Sequence, residues 1–328
     1  MDKRILVTGG AGYIGSHVTR LLLEKGYRVR VLDKLAWGGE SLEEFADNPN
    51  FELYQGDIRH VEDLVGSLED VYGVIHLAGI VGDPACALDP DTTFSINIEA
   101  TQVIVDVAKY RKVERFVFAS TCSVYGAAED YWLNEGSVLN PVSLYAETNL
   151  QSEEIIFRGF KDSTTIPTIV RFGTIYGASK RMRFDLVVNI MSAKGATENK
   201  VKVFGGDQWR PNVHCRDAAR ATIACLEAPV KNVAWEIFNV GSNDQNYRIL
   251  ELGELVAATI PGTEVEVLGD SPDKRSYRVS FDKINHVLGF TCEHKVEGGV
   301  QEISDMLKNG TIQDYQDDRY YNVRYLYR

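Results

Sequence analysis

The sequence predicts an α/β fold in which a doubly wound parallel sheet carries helices on both faces. Short β-branched runs alternate with longer helical patterns through the first half of the chain. The strand-like runs are almost continuously apolar, as is typical of strands that are buried on both faces. The chain has 328 residues, of which 44% are hydrophobic, so it can bury a large core without disulfides or a structural metal.

Strands and helices are expected in strict alternation as far as Tyr176. The predicted strands are Ile5–Thr8, Val29–Leu32, Phe51–Tyr54, Val74–Leu77, Phe116–Phe118 and Thr168–Val170. The predicted helices, which have apolar residues at helical spacing, are Tyr13–Lys25, Val61–Ser67, Phe94–Tyr110 and Leu144–Phe160.

After Tyr176 the alternation is less regular, which indicates a smaller α/β lobe that packs on the first domain. Residues 1–175 are therefore assigned to the sheet domain, and residues 176–328 mainly to the smaller lobe and a C-terminal tail. Helices are expected over Phe184–Lys194, Arg216–Glu227 and Ile249–Thr259. Strands are expected over Val201–Phe204, Glu236–Asn239 and Glu264–Leu268.

Charge and composition exclude several kinds of partner. The chain has 35 basic and 47 acidic residues, a net charge of −12, which argues against nucleic acid or an anionic membrane surface as a partner. A small anionic ligand stays possible, because a few local arginines and a helix N-terminus can bind one. No apolar run approaches the roughly 18 residues of a membrane span. The strand-like segment follows Met1–Arg4 directly, so no signal peptide is expected and a cytoplasmic location is predicted.

Cysteine and histidine give no sign of a metal site. The five cysteines are scattered and never in a Cys-x-x-Cys spacing, which suits a reducing compartment. The six histidines show no ligand spacing, and His76 lies within a buried strand pattern, where a hydrogen-bonded core residue is expected. We therefore predict no metal.

A glycine-rich turn, Thr8–Gly15, lies between the first strand and the first helix. Gly9 permits a tight turn, Gly12 lets the backbone approach a pyrophosphate, and Gly15 lets helix and strand pack closely. Asp33 ends the second strand, where a carboxylate binds a ribose diol and repels a 2′-phosphate. This context predicts a dinucleotide site that prefers NAD to NADP.

Three further segments carry a family resemblance. They are His76–Gly79, Ala119–Gly126 after a strand, and Tyr145 at the start of a helix, 24 residues beyond Thr121. Together with the glycine turn, they resemble the extended short-chain dehydrogenases/reductases of the NAD-dependent nucleotide-sugar epimerase/dehydratase family, of the UDP-glucose 4-epimerase type. The resemblance covers essentially the whole chain and implies a Rossmann-type sheet domain, NAD as cofactor and a nucleotide-diphosphate sugar as substrate.

The resemblance also implies roles for individual residues. Tyr145 corresponds to the acid/base that takes or returns a sugar hydroxyl proton, and Thr121 to the residue that hydrogen-bonds the same oxygen. The implied cofactor contacts are Gly9, Gly12, Tyr13, Ile14, Gly15, Asp33, Asp57, Ile58, Leu77, Ala78, Gly79, Asn97, Tyr145 and Asn149. The implied substrate contacts are Thr121, Ser123, Thr174, Arg210, His214 and Arg275, with the two arginines on the diphosphate and Arg181 and Arg183 as weaker candidates.

One position departs from the family pattern, which is Tyr-x-x-x-Lys. Here the sequence is Tyr145-Ala-Glu-Thr-Asn149, so the residue one turn after the tyrosine has no charge. The lysine helps to hold the nicotinamide ribose and lowers the tyrosine pKa, which is otherwise about 10. Asn149 can still hydrogen-bond a ribose hydroxyl. Three explanations stay open: an enzyme with slowed or altered chemistry, a non-catalytic sugar-nucleotide binder, or a deliberately changed variant that traps a complex.

The resemblance also limits the set of reactions that we expect this chain to catalyse. Family members begin by oxidising the sugar, usually at C4. The 4,6-dehydratases use an Asp-Glu pair directly after the Ser/Thr, but this chain has Cys122 and Ser123 there, and it lacks the glutamate of the decarboxylases. We therefore expect a 4-epimerase or 4-dehydrogenase. The alternatives are the non-catalytic binder and a reductase of an unrelated carbonyl compound.

The resemblance also implies a homodimer, because the helices Phe94–Tyr110 and Leu144–Phe160 correspond to helices that pair in dimeric relatives.

Overall fold

A computed structural model describes residues 3–269 and 275–325. Its strands are β1 Arg4–Thr8, β2 Arg28–Asp33, β3 Phe51–Gln55, β4 Gly73–His76, β5 Arg115–Thr121, β6 Ala128–Leu133, β7 Ile166–Phe172, β8 Thr174–Tyr176, β9 Lys200–Phe204, β10 Trp209–His214, β11 Glu236–Val240, β12 Asn246–Arg248, β13 Glu264–Leu268 and β14 Tyr277–Val279. Its helices are α1 Gly15–Glu24, α2 Val61–Ser67, α3 Asp83–Leu88, α4 Pro90–Phe94, α5 Ala100–Tyr110, α6 Leu144–Phe160, α7 Val187–Glu198, α8 Cys215–Glu227, α9 Val230–Val233, α10 Ile249–Thr259, α11 Asp282–Leu288, α12 Val296–Lys308 and α13 Asn322–Tyr325.

The large sheet confirms the predicted fold class. In the described part of the chain, seven parallel strands form a sheet in the order β11-β7-β5-β4-β1-β2-β3. The order reverses between β1 and β4, and ligands of such sheets bind at the carboxyl ends of the strands beside this reversal. The topology therefore places the binding site at the ends of β1, β4 and β5.

Alternating side chains of the central strands build two apolar layers. On β1, Ile5 and Val7 pack into the layer that includes α1 and α8, whereas Leu6 packs into the layer that includes α5 and α6. On β5, Val117 faces the first layer and Phe116 the second. All five side chains are almost fully buried, and each contributes about 1.5–3 kcal/mol. Burial on both faces explains why these strands have continuous apolar sequences.

The smaller lobe consists of short sheets around a separate apolar cluster. Strands β12, β10 and β8 form one sheet, β13 pairs with β9, and β14 pairs with β6. Helices α7, α10 and α12 contribute to its core. Strand β11 nevertheless belongs to the large sheet, and α8 packs beside α1 against that sheet. The chain thus returns to the sheet domain after first entering the lobe, and residues 176–328 are not all in the lobe.

The structure extends several predicted elements and adds short ones. The expected helix Phe94–Tyr110 is observed as α4, a π-helical turn and α5. The helical segment begins at Pro90, before the predicted start at Phe94. The Asp89 carboxylate accepts a hydrogen bond from the Thr92 N–H (3.0 Å), and Pro90 takes the first helical position. The predicted first helix begins two residues later, at Gly15, because residues 12–14 form the turn. Strands β8, β12 and β14 have three residues each, too few for a periodic pattern.

Among the described helices, none is both long and apolar enough to cross a bilayer.

A buried ion pair joins the end of the large sheet to α6. Two of the three donor nitrogens of Arg171 on β7 contact Glu153 on α6: Nε donates to Oε1 (2.9 Å) and Nη2 to Oε2 (2.6 Å). The Ser120 hydroxyl also donates to Glu153 (2.5 Å), and Arg171 Nη1 donates to the Tyr125 hydroxyl (3.1 Å). Arg171 is 1% exposed. The pair therefore anchors α6, which carries Tyr145, to the end of β5, which carries Thr121.

We expect Arg171→Met to lower the free energy of unfolding by about 3–5 kcal/mol, because it leaves the Glu153 carboxylate buried without a counter-ion. Urea unfolding followed by circular dichroism measures this change. Arg158→Met, an exposed position on the same helix, is the matched control and should change stability by less than about 0.5 kcal/mol. Equal stability of the two variants would contradict the assigned role of the pair.

Candidate functional site

A cavity of about 710 Å³ opens at the carboxyl ends of β1, β4 and β5 and extends to the smaller lobe. It brings together most of the residues predicted to bind ligands. Those that line it are Gly9, Gly12, Tyr13, Ile14, Gly15, Asp33, Asp57, Ile58, Leu77, Ala78, Gly79, Thr121, Ser123, Tyr145, Thr174, Arg210 and Arg275. Asn97 and Asn149 line a small neighbouring pocket of about 30 Å³ instead, to which Tyr145 also contributes.

The glycine turn leaves no room for side chains at two positions. Gly9 has φ +72°, and a Cβ there would lie 2.8 Å from the backbone nitrogen of Ala78 on the segment after β4. A Cβ on Gly15 would lie 2.1 Å from the Gly9 carbonyl oxygen. The turn therefore packs directly against β4 and aims the N-terminus of α1 into the cavity. Such an N-terminus attracts phosphate groups.

Asp33 is held at the end of β2 by two backbone N–H groups. Ala11 N donates to its Oδ2 (3.0 Å) and Leu35 N to its Oδ1 (2.8 Å). Burial raises the pKa of this carboxyl, while the two N–H groups act in the opposite direction. A carboxylate fixed beside a glycine turn, with the backbone exposed to the cavity, fits the ribose and pyrophosphate of NAD.

Asp57, at the cavity edge, is paired with an arginine. Arg59 Nη2 donates to its Oδ2 (2.6 Å). Burial alone would raise the pKa of Asp57, but the Arg59 side chain outweighs it and the pKa is lowered. Asp57 is thus ionised at neutral pH, next to the neighbouring cavity residue Ile58.

Tyr145 lies in the first turn of α6. Ser143 begins this helix by accepting a hydrogen bond from Ala146 N (3.3 Å), and its hydroxyl donates to Asp83 on α3 (2.5 Å). Burial raises the pKa of Tyr145 well above its ordinary value, whereas a hydrogen bond with Thr121 and the charge of Arg183 lower it. The phenol and the Thr121 hydroxyl are therefore adjacent and face the same cavity, as the sequence predicts for an acid/base pair.

Asn149 is directed at its own helix. Its Nδ2 donates to the Tyr145 carbonyl oxygen (2.8 Å), and the residue is 7% exposed. Asn97 is likewise engaged with backbone: its Oδ1 accepts from Ile80 N (2.8 Å) and its Nδ2 donates to Ile80 O (3.0 Å). Asn97 thus fixes the segment after β4, including the cavity residue Gly79.

His76 matches its prediction as a buried core residue. Its Nδ1 lies 2.7 Å from the Thr8 hydroxyl and its Nε2 lies 3.3 Å from Thr101. Burial lowers the pKa of His76 to about 4, so the ring is neutral at physiological pH.

The cavity is locally basic although the chain is acidic. Among the described residues, seven basic side chains and four acidic ones line it, a balance of +3 against −12 for the whole chain. The basic residues are Lys34, Arg181, Arg183, Lys194, Lys202, Arg210 and Arg275, and the acidic ones are Asp33, Asp57, Asp83 and Asp185. Such a concentration of positive charge favours an anionic ligand.

Arg210 and Arg275 line the part of the cavity that the smaller lobe forms, and they contact each other. Arg210 is 6% exposed, and its Nη1 donates to the carbonyl oxygens of Trp209 (2.8 Å) and Arg275. Arg275 forms an ion pair with Asp83. Residues 273–274, which belong to the same predicted arginine loop, lie outside the described residues. Guanidinium groups can bind phosphate oxygens, so the diphosphate contact of these two arginines stays a prediction.

His214 does not line the cavity, in contrast to its prediction as a substrate contact. Its Nε2 lies 3.0 Å from Glu302, and its ring stacks on that of His294 with centroids 4.4 Å apart. The ring also occupies the space beside Gly177, where a Cβ would lie 2.1 Å from it. His214 is therefore a core residue of the lobe. Burial lowers its pKa, although Glu302 acts in the opposite direction.

The structure adds three residues that the sequence did not single out. Asp83, Asp185 and Tyr277 line the cavity, but they come from distant segments and carry no recognisable spacing. Arg181 and Arg183, only weak candidates from the sequence, both line it as well. No group of three or more His, Cys, Asp or Glu side chains in the described ranges has the arrangement of a metal site.

Comparison with known proteins agrees with this geometry. A family model described as the NAD-dependent epimerase/dehydratase family matches residues 5–241. A putative UDP-glucose 4-epimerase from Methanocaldococcus jannaschii is 30% identical over 93% of this chain and 98% of that protein. UDP-glucuronic acid decarboxylase 1 from Xenopus tropicalis is 28% identical over 92% of this chain and 71% of that protein.

A solved structure has the same fold. UDP-glucuronic acid 4-epimerase from Bacillus cereus, in complex with UDP-glucuronic acid and NAD, is similar with a TM-score of 0.84 and 27% identity, over 93% of this chain and 99% of that chain. These matches confirm the resemblance that the glycine turn and the Tyr145 segment predicted. They also confirm NAD as the cofactor.

We expect Asp33→Asn to weaken NAD binding about tenfold or more, because hydrogen bonds to a charged group contribute about 1.5–3 kcal/mol. The same change should narrow the difference in affinity between NAD and NADP, since the repulsion of a 2′-phosphate is removed. Isothermal titration calorimetry with each dinucleotide measures both effects. Asp47→Asn, at an exposed position, is the control and should bind NAD like the unaltered chain. Unchanged NAD affinity in Asp33→Asn would contradict the assigned ribose contact.

Proposed function

Because the chain belongs to the NAD-dependent epimerase/dehydratase family, we propose that it oxidises C4 of a nucleotide-diphosphate sugar, as a 4-epimerase or a 4-dehydrogenase. One observation carries this proposal. A single cavity contains the glycine turn for the dinucleotide, the Tyr145–Thr121 pair, and the two arginines, Arg210 and Arg275, that suit a diphosphate.

The residues divide the chemistry between them. When bound, NAD supplies the hydride acceptor for the hydrogen on C4. Ionised Tyr145 takes the proton of the C4 hydroxyl, and Thr121 hydrogen-bonds the same oxygen as it becomes a carbonyl oxygen. In an epimerase, Tyr145 returns the proton after the keto sugar has turned over and regained the hydride on its other face. In a dehydrogenase, the keto sugar would leave the cavity without regaining a hydride.

The neighbours of Thr121 support C4 oxidation without elimination. Cys122 is fully buried, its thiol donates to the Arg171 carbonyl oxygen (3.3 Å), and burial raises its pKa well above the usual range. Ser123 lines the cavity but is neutral. Neither side chain can act as the carboxylate acid or base that water elimination needs. The M. jannaschii relative named as a putative 4-epimerase and the B. cereus 4-epimerase structure also support this choice.

A second candidate is a protein that binds NAD and a sugar nucleotide without turnover. The observation in its favour is that Asn149 is neutral and donates to the Tyr145 carbonyl oxygen, so no cation lies one helical turn after Tyr145. This candidate predicts thermal stabilisation by both ligands and no product.

The distinguishing experiment incubates the protein with NAD and a panel of UDP-, dTDP-, GDP- and CDP-sugars. Product NMR and absorbance of reduced nicotinamide are recorded together. Inversion at C4 without net reduction of NAD indicates an epimerase, and a 4-keto product with reduced NAD indicates a dehydrogenase. Ligand-induced thermal shifts without product, followed by activity in Asn149→Lys, would replace the enzyme proposal by the binder.

We expect Tyr145→Phe to lower the initial rate of sugar oxidation by about 10²- to 10⁴-fold, since the proton acceptor is lost. In the unaltered chain the rate should rise with pH, about tenfold per unit below the pKa of Tyr145, because only the ionised phenol accepts the proton and burial keeps that pKa high. Stopped-flow absorbance between pH 6 and 9 would measure both effects. Tyr54→Phe, a half-buried ring on β3 that does not line the cavity, is the matched control. A pH-independent rate, or full activity of Tyr145→Phe, would contradict the assigned role.

We also propose a homodimer that forms through α5 and α6. Support comes from the exposed aromatic side chains beside and within this region, Phe94 (40% exposed) and Tyr110 (80% exposed). Light scattering should then give about twice the mass of the 36.7 kDa chain, and a monomer at micromolar concentration would contradict the proposal.

A further inference from the structure

The C-terminal segment, residues 309–325, reaches the cavity. It follows α12 and ends in α13, and two of its residues, Asn322 and Val323, line the cavity wall. Helix α13 lies against α3, and Val323 packs against the apolar layer of the large sheet that includes α5 and α6. The C-terminal segment is therefore a third contributor to the site, besides the sheet domain and the smaller lobe.

Aromatic packing holds this segment in place. Ile312 and Tyr315 are buried in a cluster that includes Tyr13 of the glycine turn. The Phe184 ring meets the rings of Tyr315 and Tyr320 edge-on, with centroids 5.7 and 5.5 Å apart. The Phe184 N–H also donates to the Tyr320 carbonyl oxygen (3.0 Å). Edge-to-face contacts are a favourable arrangement of aromatic rings, so these tyrosines dock the segment beside the glycine turn.

Asn322 makes the polar contacts of this docked segment. It is 2% exposed, so its amide has to find partners within the protein. Its Nδ2 donates to the Val81 carbonyl oxygen after β4 (3.1 Å), and its Oδ1 accepts from Arg181 Nη2 (2.7 Å). One amide thereby connects the sheet domain with the segment between β8 and α7.

Arg181 is a buried cation in the cavity wall. It is 8% exposed, and its guanidinium lies over the Trp37 ring, 4.8 Å from the centroid. Its hydrogen bond goes to the neutral amide of Asn322. Burial lowers the pKa of Arg181 to about 9, so the group is still charged at neutral pH.

The carboxylates near Arg181 are engaged with other groups. Asp33 accepts from two backbone N–H groups, and Asp185 accepts from Arg183 Nε (2.9 Å) and Nη2 (2.8 Å). Both attract Arg181, but no ion pair joins Arg181 to a carboxylate of the described residues. Buried charges are normally paired. Arg181 is thus suited to an anionic group of a ligand in the cavity.

The position of Arg181 favours the dinucleotide over the sugar nucleotide as that ligand. The Ser179 hydroxyl, two residues earlier in the chain, donates to the Tyr13 carbonyl oxygen (2.9 Å) and lies 3.3 Å from the Ser16 hydroxyl in the first turn of α1. The chain segment that carries Arg181 therefore packs against the helix N-terminus that suits a pyrophosphate. Arg210 lies elsewhere, in the part of the wall that the smaller lobe forms.

We propose that the C-terminal segment is part of the cofactor site, in which Asn322 is a positioning residue that holds the Arg181 guanidinium for the pyrophosphate of bound NAD. The aromatic contacts of the segment fix Asn322, and Asn322 and Trp37 together fix Arg181. This role concerns NAD binding alone. It goes beyond the proposed C4 chemistry and applies equally to an enzyme and to a non-catalytic binder.

Calorimetric titration of the full chain with NAD, and separately with ADP-ribose, tests this role without any sugar nucleotide. Arg181→Gln should weaken the binding of both ligands about tenfold or more, since a charge-assisted hydrogen bond to their shared pyrophosphate is lost. Asn322→Ala should weaken both about three- to tenfold, because the guanidinium is no longer held. Asn309→Ala is the matched control, an exposed asparagine of the same segment that accepts from Thr311 N (3.0 Å), and it should bind both ligands like the unaltered chain.

Asn322→Asp separates a positioning role from a packing role. It keeps the shape of the side chain and an acceptor for Arg181, but it adds a negative charge that offsets the guanidinium. It should therefore weaken NAD binding at least as much as Asn322→Ala, whereas a packing role predicts the milder effect for the aspartate. In the Arg181→Gln background, Asn322→Ala should change the affinity little further, because the two residues act as one unit.

Unchanged NAD affinity in either folded variant, Arg181→Gln or Asn322→Ala, would overturn the proposal. So would a loss of affinity for a nucleoside diphosphate such as UDP with NAD affinity retained, since that result would assign Arg181 to the sugar nucleotide. Circular dichroism of the ligand-free variants checks that they are folded. Because the titrations involve no turnover, an inactive protein that shows the predicted losses would count against the C4 chemistry but support the role of Asn322.

Discussion

The close approach of the glycine turn to β4 is the constraint on which the rest of the site depends. A Cβ on Gly9 would lie 2.8 Å from the backbone nitrogen of Ala78, and a Cβ on Gly15 would lie 2.1 Å from the Gly9 carbonyl oxygen. This contact sets where α1 begins, and the Ala11 N–H of the same turn fixes Asp33. Reversal of the strand order beside β1 then opens the crevice at the same place. A side chain at Gly9 would push the turn away from Ala78, and one at Gly15 would push α1 away from the turn, so the predicted cofactor contacts of this region would shift together.

The proposed reactive pair, Tyr145 and Thr121, depends on a different contact, between the end of the sheet and α6. Thr121 ends β5, and Tyr145 starts α6, so their separation is set by how α6 docks on the sheet. Glu153 receives hydrogen bonds from Arg171 on β7 and Ser120 on β5, which ties this helix to two adjacent strands. A buried ion pair contributes little net stability compared with apolar packing, but it tolerates few alternative geometries. Its value here lies in fixing one arrangement of phenol and hydroxyl.

Much of the fold and part of the site could be predicted from the sequence, because local patterns determine them. Apolar runs identified the central strands, and the spacing of Gly9, Gly12 and Gly15 identified the dinucleotide turn. Residues whose roles depend on long-range packing could not be predicted in this way. His214 follows an arginine loop in sequence, yet Glu302 and His294, contributed by the segment around α12, hold it in the core. Conversely, no sequence pattern connects Asp83 or Asp185 with Tyr145, although the fold brings them into one cavity.

Tyr145 is buried, and the residue one helical turn after it, Asn149, carries no charge. Burial excludes water from the reacting oxygen and strengthens every remaining charge interaction, because the local dielectric constant falls. The same burial disfavours the ionised phenol, at about 1.4 kcal/mol for each unit of pKa. A lysine at position 149 would resolve this conflict within one helix. Here position 149 is neutral, and the charge of Arg183, from the segment between β8 and α7, acts to lower the pKa of the phenol. The pKa of Tyr145 therefore depends on residues outside α6, and a change in how the segment before α7 packs would alter it.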